Sequence, residues 1–531
     1  MEAIPEDKSE STIADPSIAG DVFLQALARH GVEFFFANPG TDFPPIIEAF
    51  ARAAETRAHV PRPILVPHEN LAVAMAHGAY LVTGKPQAAM VHVNVGTGNA
   101  INLLTNASRD RVPLLLAAGR TPITERGAFG SRNRPIQWAQ EMFDQAGMVR
   151  ELVKWDYELR VPGQAEEVVA RAFEVAMTEP RGPVYVVLPR EPLSAVVEGP
   201  RPPSRPRAVP TSAYPEPGAI ERLADWLAAA ERPLLITSDL GRVPEDSALL
   251  GELAERFAIP VVLHTPRFLC LPTDHPLHHG FDPGPFLGDA DLVVVLESDV
   301  PWFPSVHPSP ASARVAHIGE DPAFLRYPMR SFPSDLSIVS SPGAALRALD
   351  AALEERLGKD TAIAARRRWA VERARSRRAK MRAHLDAESE HISPELLSQC
   401  IGEVVGTEAL IFNEYQLRLD WCARTRPGTY FGLSPAGGLG WSVGAALGAK
   451  LAAPEHTVVA VIGDGGMIFG NPTACHWVAE ANGLPILIVV FNNRRYGAVR
   501  NATLSMFSDG ASGRAGGGGL DDLTPSPDFE L

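Results

Sequence analysis

Residues 457–500 read TVVAVIGDGGMIFGNPTACHWVAEANGLPILIVVFNNRRYGAVR. Residues 457–462 are an apolar, β-branched run of buried-strand length, and Gly463-Asp464-Gly465-Gly466 follows directly. Pro472 predicts a first helical residue, with Asn471 as its cap and a helix to about Asn482. Residues 484–491 predict a second buried strand, which ends in Asn492-Asn493. A parallel β-α-β unit puts both strand ends on one sheet edge, where open α/β sheets bind ligands. The Asp464 carboxylate and the Asn493 amide oxygen are hard donors suited to Mg²⁺, which gathers phosphate oxygens. Gly465 and Gly466 let backbone N–H groups approach a diphosphate near a helix N-terminus. A GDG turn alone is common; here the 26 residues 466–491 separate it from the Asn-Asn pair, and each half follows a predicted strand.

A chain of 531 residues suggests three or four domains, and 45% hydrophobic with 21% charged residues is an ordinary globular balance. The net charge of −14 argues against nucleic acid or an anionic membrane surface as partner. Cys270, Cys400, Cys422 and Cys475 are too scattered for a metal site or a disulfide framework, which suits a reducing cytoplasm. The acidic, polar start MEAIPEDKSESTIADP is not a signal peptide, and no apolar run has membrane-spanning length.

Residues 1–17 are expected to form a disordered tail. Residues 18–190 alternate helix and strand, with strands in VEFFFA, PILVP, QAAMVHVNV, VPLLLAAG and GPVYVVLP, which predicts a doubly wound, mostly parallel sheet. Residues 191–218 hold eight prolines and read as a linker. Residues 219–345 repeat the α/β pattern without a nucleotide signature. Residues 346–392 are helical and arginine-dense, and read as a solvated linker rather than a site for an anionic effector. The last domain, 393–531, starts with Ser393-Pro394-Glu395, a helix N-terminus.

The GDG and Asn-Asn elements resemble the fingerprint of thiamine-diphosphate (ThDP) enzymes. Further stretches, NPGTDFPP (38–45), PHEN (67–70), HVNVGTGNA (92–100) and SPAGGLGWSVGAALGAKLA (434–452), resemble the 2-oxo acid decarboxylase and acetolactate synthase superfamily, in its order. Within it the chain is most similar to the benzoylformate decarboxylases. The resemblance implies three consecutive doubly wound α/β domains: a pyrimidine-binding domain at 18–190, a central domain at 219–345 and a diphosphate-binding domain at 393–531. FAD or ADP, which some relatives carry centrally, is not expected here.

By the same resemblance, Glu69 bonds N1′ of the aminopyrimidine and promotes formation of the C2 carbanion. Glu69 follows the apolar run 63–67 at a sheet edge, a setting of partial burial. Leu439 props the bent cofactor and Gly437 accepts from its 4′-amino group. Asp464, the Asn493 side chain and the Arg495 carbonyl hold Mg²⁺. Thr41 meets the substrate carboxylate and His92 relays protons. His307 is the candidate for a second histidine, with His278 and His279 as competitors. Tyr415-Gln416-Leu417 departs from the small hydroxyl residues usual in the family. Glu69 and the diphosphate site come from different subunits, so a homodimer or homotetramer is implied.

The implied activity is decarboxylation of a 2-oxo acid through an enamine to an aldehyde. Acetolactate-synthase-like ligation of a second carbonyl is the alternative. The third domain is expected to be incomplete: after Asn493 the family continues for on the order of 50 residues of βα units. Here GASGRAGGGGLDD and LTPSPDFEL follow, with Ser526-Pro527-Asp528-Phe529 expected to open a helix. Strand 484–491 would then be an exposed edge. A catalytically impaired protein of the same fold is the reading from a different class.

Overall fold

The computed structural model describes residues 17–197, 207–308, 310, 312–357, 361–385, 392–514, 516 and 519–529. Residues 1–16 of the tail expected at 1–17, and residues 198–206 of the linker, lie outside them. Three sheets form, and every strand pair within them is parallel. The first contains β1 (Phe34–Ala37), β2 (Arg62–Leu65), β3 (Gln87–Val91), β4 (Leu114–Arg120), β5 (Asp156–Glu158) and β6 (Val184–Pro189), in the order β2-β1-β3-β4-β6-β5. The second contains β7 (Pro233–Thr237), β8 (Val261–Leu263), β9 (Leu292–Leu296), β10 (Arg314–Gly319) and β11 (Leu336–Val339), in the order β11-β10-β9-β7-β8. The third contains β12 (Leu410–Glu414), β13 (Tyr430–Gly432), β14 (Val458–Gly463) and β15 (Leu487–Phe491), in the order β13-β12-β14-β15. Helices make most of the crossovers between these parallel strands, while β9 to β10, β10 to β11 and β12 to β13 are joined by loops.

The first and third domains share one hydrophobic core. Its centre is the contact of two helices, Glu69–Thr83 and Trp441–Ala452, each buried nearly all round. Small residues allow the approach. A Cβ on Gly448 would overlap the Met75 carbonyl, and one on Gly78 the Ala445 carbonyl. Trp441 Nε1 donates to His77 Nδ1 at 3.2 Å across this contact. Burial holds the His77 pKa down to about 3, so its ring is a neutral acceptor. Gly448→Ala is expected to lower the thermal midpoint, because overpacking of a filled core costs about 1–3 kcal/mol. A midpoint equal to wild type would show that the two helices part without strain.

Several expectations need correction. The HVNV segment is not strand: β3 stops at Val91, and Val93–Arg109 is helical. The arginine-dense helix Thr361–Leu385 is not a solvated linker. Buried Arg366 donates to the carbonyls of Leu227, Ala228 and Ala230, which end the helix Pro217–Ala229. Arg367 reaches the Glu255 carbonyl, Arg373 that of Pro285, and Arg378 those of Asp274 and His275. Cationic side chains here close carbonyls that helices and turns leave open. Residues 526–529 are not helical; Ser526 Oγ instead accepts from Asn492 Nδ2 at 2.8 Å. A helix absent from the sequence reading, Gly497–Met506, follows the Asn-Asn pair. Residues 521–523 pair back on 494–496, so the Asn493 loop has outer packing. β15 is nevertheless a half-exposed edge strand.

Candidate active site

Three neighbouring strands of the first sheet deliver Thr41, Glu69 and His92 to one edge. Ala37 of β1 is in register with Leu65 of β2 and Met90 of β3, so the three following segments leave side by side. Glu69 opens its helix half-buried, and its Oε2 accepts from Asn99 Nδ2 at 2.6 Å. The GTGNA stretch explains itself here. Gly96 leaves room for Glu69 Oε1, Thr97 bonds the Tyr185 hydroxyl at 2.7 Å, and Asn99 holds the carboxylate. The strand before Glu69 is not apolar surroundings, since three of the four β2 residues are exposed. Thr41 is exposed in the loop after β1, and its carbonyl accepts from Arg190 at 3.4 Å.

His92 caps the helix Val93–Arg109. Its Nδ1 lies 2.5 Å from Asp42 Oδ1, and its Nε2 lies 3.4 Å from the Gln140 amide nitrogen. The Asp42 hydrogen bond raises the His92 pKa above its ordinary value; burial opposes this, and the charges of Asp42 and Glu69 add to it. Asp42 escaped the sequence reading, although it is adjacent to Thr41 in the same quoted motif.

In the third sheet, Gly463 ends β14 in register with Phe491 of β15. That pairing sets Asp464 and the Asn492-Asn493 turn on the same edge. Asp464 starts a short helix, Asp464–Phe469, that the sequence reading did not contain. Asn471 caps Pro472–Asn482 as expected, accepting from the Ala474 N–H at 3.3 Å. Asp464 is 3% exposed, and its Oδ2 is buried with no hydrogen-bond partner. A buried carboxylate oxygen without a partner is costly unless a cation meets it. Asn493 is exposed, with Oδ1 accepting from the Arg495 N–H at 3.1 Å. An orphaned carboxylate oxygen and an amide oxygen on the same sheet edge are hard donors of the kind Mg²⁺ takes. Among the described residues no three of His, Cys, Asp and Glu gather as a metal cluster.

The Gly437-Gly438-Leu439 segment is pinned from two sides. Asn106 Nδ2 donates to the Gly438 carbonyl, and the Gly438 N–H donates to Asn106 Oδ1, both at 2.9 Å. Asn102 Nδ2 donates to the Leu439 carbonyl at 3.1 Å. Glu414, at the end of β12, accepts from the Gly440 and Ser442 N–H groups at 2.8 and 2.9 Å. Burial raises its pKa against the pull of those bonds. Gly437 takes φ +69, a conformation that suits glycine. Asn106 and Glu414 were not foreseen, and neither stands out, since each shares its element with other polar residues. Tyr415 and Gln416, the departure from the family, take φ +67 and +34, and the Tyr415 hydroxyl lies close to Gly437. Strained backbone of this kind gathers at functional sites.

His307 does not join these groups. Its Nδ1 accepts from the Phe303 N–H at 2.8 Å, its Nε2 lies 3.1 Å from Asp282, and its ring stacks on Phe303. His278 and His279 are buried beside β8, with pKa values pushed below the ordinary range, that of His279 to about 3.

Three family models match in chain order: the N-terminal TPP binding domain of thiamine pyrophosphate enzymes at residues 18–148, the central domain at 220–349, and the C-terminal TPP binding domain at 415–530. The last match gives no support to a truncated third domain. A benzoylformate decarboxylase of Pseudomonas aeruginosa is 27% identical over 497 residues, covering 90% of this chain and 86% of that protein. An acetolactate synthase large subunit of Lactococcus lactis is 26% identical over 515 residues, covering 93% and 84%. In fold, the chain is similar to a ThDP-dependent 4-hydroxybenzoylformate decarboxylase of Rhodococcus jostii, with a TM-score of 0.75, 24% identity, and 97% and 92% coverage. Three matched domains in the family's order, together spanning more than half the chain, and full-length relatives on both branches place the protein among the thiamine pyrophosphate enzymes, in the superfamily of 2-oxo acid decarboxylases and acetolactate synthases.

Proposed function

We propose that this chain is a ThDP- and Mg²⁺-dependent decarboxylase of a 2-oxo acid that releases an aldehyde. The observation that carries the reading is the buried, partnerless Oδ2 of Asp464 beside the Asn492-Asn493 turn. Asp464, the Asn493 side chain and the Arg495 carbonyl would hold Mg²⁺; Gly465, packed under the Tyr496 ring, and Gly466, against Glu414, have no room for a side chain. Gly437 and Leu439 would receive the aminopyrimidine end. When bound, ThDP supplies the electron sink for loss of CO₂.

The protein's own groups then hold and move protons. Glu69, oriented by Asn99, presents a carboxyl for proton exchange at a sheet edge. His92, whose pKa the Asp42 hydrogen bond raises above the ordinary histidine value, is placed to hold and pass on a proton. The Thr41 hydroxyl is placed to meet a substrate carboxylate. His307 is not assigned a role, because its partners all belong to the middle domain. The middle domain is read as free of bound nucleotide; Arg267 with Asp239 and Asp299, and Arg111 with Glu297, fill its strand ends.

A second copy of the chain is the expected partner. Exposed Trp138 lies two residues from Gln140, which contacts His92, and exposed Ile468 and Phe469 follow Asp464 on the third domain. Apolar groups grouped beside a site in this way favour a protein neighbour. Among the described residues no helix is long and apolar enough to cross a membrane.

Ligation of a second carbonyl is the rival, favoured by the acetolactate synthase relatives. The two differ in the need for a proton donor at the end of the reaction. His92→Ala is therefore expected to cut aldehyde release more than hydroxyketone formation from the same 2-oxo acid. Equal loss of both products would refute the protonation role.

A further inference from the structure

We propose that Asp42 is the positioning residue for His92, fixing the ring so that Nε2 delivers the proton in the reaction proposed above, on which this inference rests. The two residues come from neighbouring strand ends, the loop after β1 and the end of β3. Asp42 is 4% exposed. One carboxylate oxygen lies 2.5 Å from His92 Nδ1, and the other accepts from the Val93 N–H at 3.3 Å. The carboxylate thus grips the ring and the next peptide together. Val93 is held at φ +34, a conformation that a β-branched residue adopts only when its surroundings impose it.

Two glycines make the room. A Cβ on Gly119 would overlap the Asp42 carboxylate, and a Cβ on Gly40 would overlap the His92 ring. The arrangement sets the tautomer, because a carboxylate acceptor keeps the hydrogen on Nδ1 and leaves Nε2 for exchange. Gln140 Nε2 is 3.4 Å from that nitrogen, a long contact that a substrate can replace. The charged groups facing His92 are Asp42 from the loop after β1 and Glu69 from the head of its helix; Arg190 lies behind Thr41, on whose carbonyl it donates. Asp42 and Glu69 both favour the imidazolium.

The proton bookkeeping closes without a further reagent. The imidazolium Nε2–H bond breaks, and its proton goes to the carbon that has lost CO₂. The electron pair stays on Nε2, leaving a neutral ring whose Nδ1–H still bonds Asp42. A solvent proton restores the imidazolium. Asp42 touches no reacting atom.

The test uses the full chain and the isosteric variant Asp42→Asn. The first readout is the titration of His92 by NMR on histidine-labelled apo enzyme, the resonance assigned by its loss in His92→Gln. The expected result is a pKa above the ordinary 6.5 in wild type that falls in Asp42→Asn. The second is the pH profile of aldehyde release with ThDP and Mg²⁺ present. Its alkaline limb, where the imidazolium is lost, should move to lower pH in the variant. Turnover at neutral pH should fall roughly 10- to 100-fold, the typical cost of losing a carboxylate that orients a histidine. A folded variant with an unshifted His92 titration and an unshifted limb overturns the proposal. If the variant does not fold, the wild-type titration decides, and a His92 pKa at or below 6.5 overturns it. Because the titration needs no turnover, a coupled pair in a chain that releases no CO₂ would count against the reaction and not against the pairing.

Discussion

Asp464→Ala is expected to abolish metal-dependent binding of ThDP in calorimetry while leaving the far-UV dichroism spectrum near that of wild type. The carboxylate sits at the head of the helix that follows β14, with one oxygen buried and unpartnered, so in the chain by itself it carries a desolvation cost without return. Its removal should not harm the fold, and it would leave Mg²⁺ with amide and carbonyl oxygens but no anionic protein donor. Loss even of groups that only orient metal ligands costs about 10–100-fold. Loss of the ligand itself should exceed that and pass out of calorimetric range. Undiminished affinity in the variant is incompatible with the assignment.

Glu69→Gln is expected to keep ThDP bound and to slow both C2–H exchange and turnover by ~10²–10⁴-fold, the usual effect of removing a positioned proton-transfer group. The amide can still accept from Asn99, so the local structure around Gly96 and Asn99 should survive. What it cannot do is share a proton with the cofactor. Exchange measured by NMR on bound ThDP separates this from a binding defect, and an exchange rate equal to wild type would remove Glu69 from the role.

The region around Asp464 was legible because its signals are local: a β-branched run, a glycine turn, a proline at a helix start and an amide cap. The structure reproduces the first strand to within one residue and the capped helix Pro472–Asn482, but inserts the helix Asp464–Phe469 between them and starts the second strand at Leu487. The strands that stayed hidden, β5, β11 and β13, are edge strands of three or four residues whose pairing is decided by neighbours distant in sequence. HVNV misled because β-branched residues suit a strand, whereas here Asp42 captures His92 and the Val93 N–H and turns the chain into a helix. Arg366 was misread because charge runs usually face water; the carbonyls it closes lie 136 to 139 residues away. Asp42, Asn106 and Glu414 share that obstacle. Each is a single polar residue whose partner is remote in sequence, so no spacing announces it.

The most direct measurement of the central claim is a panel of 2-oxo acids incubated with the full chain, ThDP and Mg²⁺, with CO₂, aldehyde and hydroxyketone quantified separately. The account predicts CO₂ and aldehyde in equal amounts from at least one 2-oxo acid, both lost when Mg²⁺ is chelated. CO₂ accompanied by hydroxyketone alone, or no CO₂ from any member by a chain that binds ThDP, would contradict it.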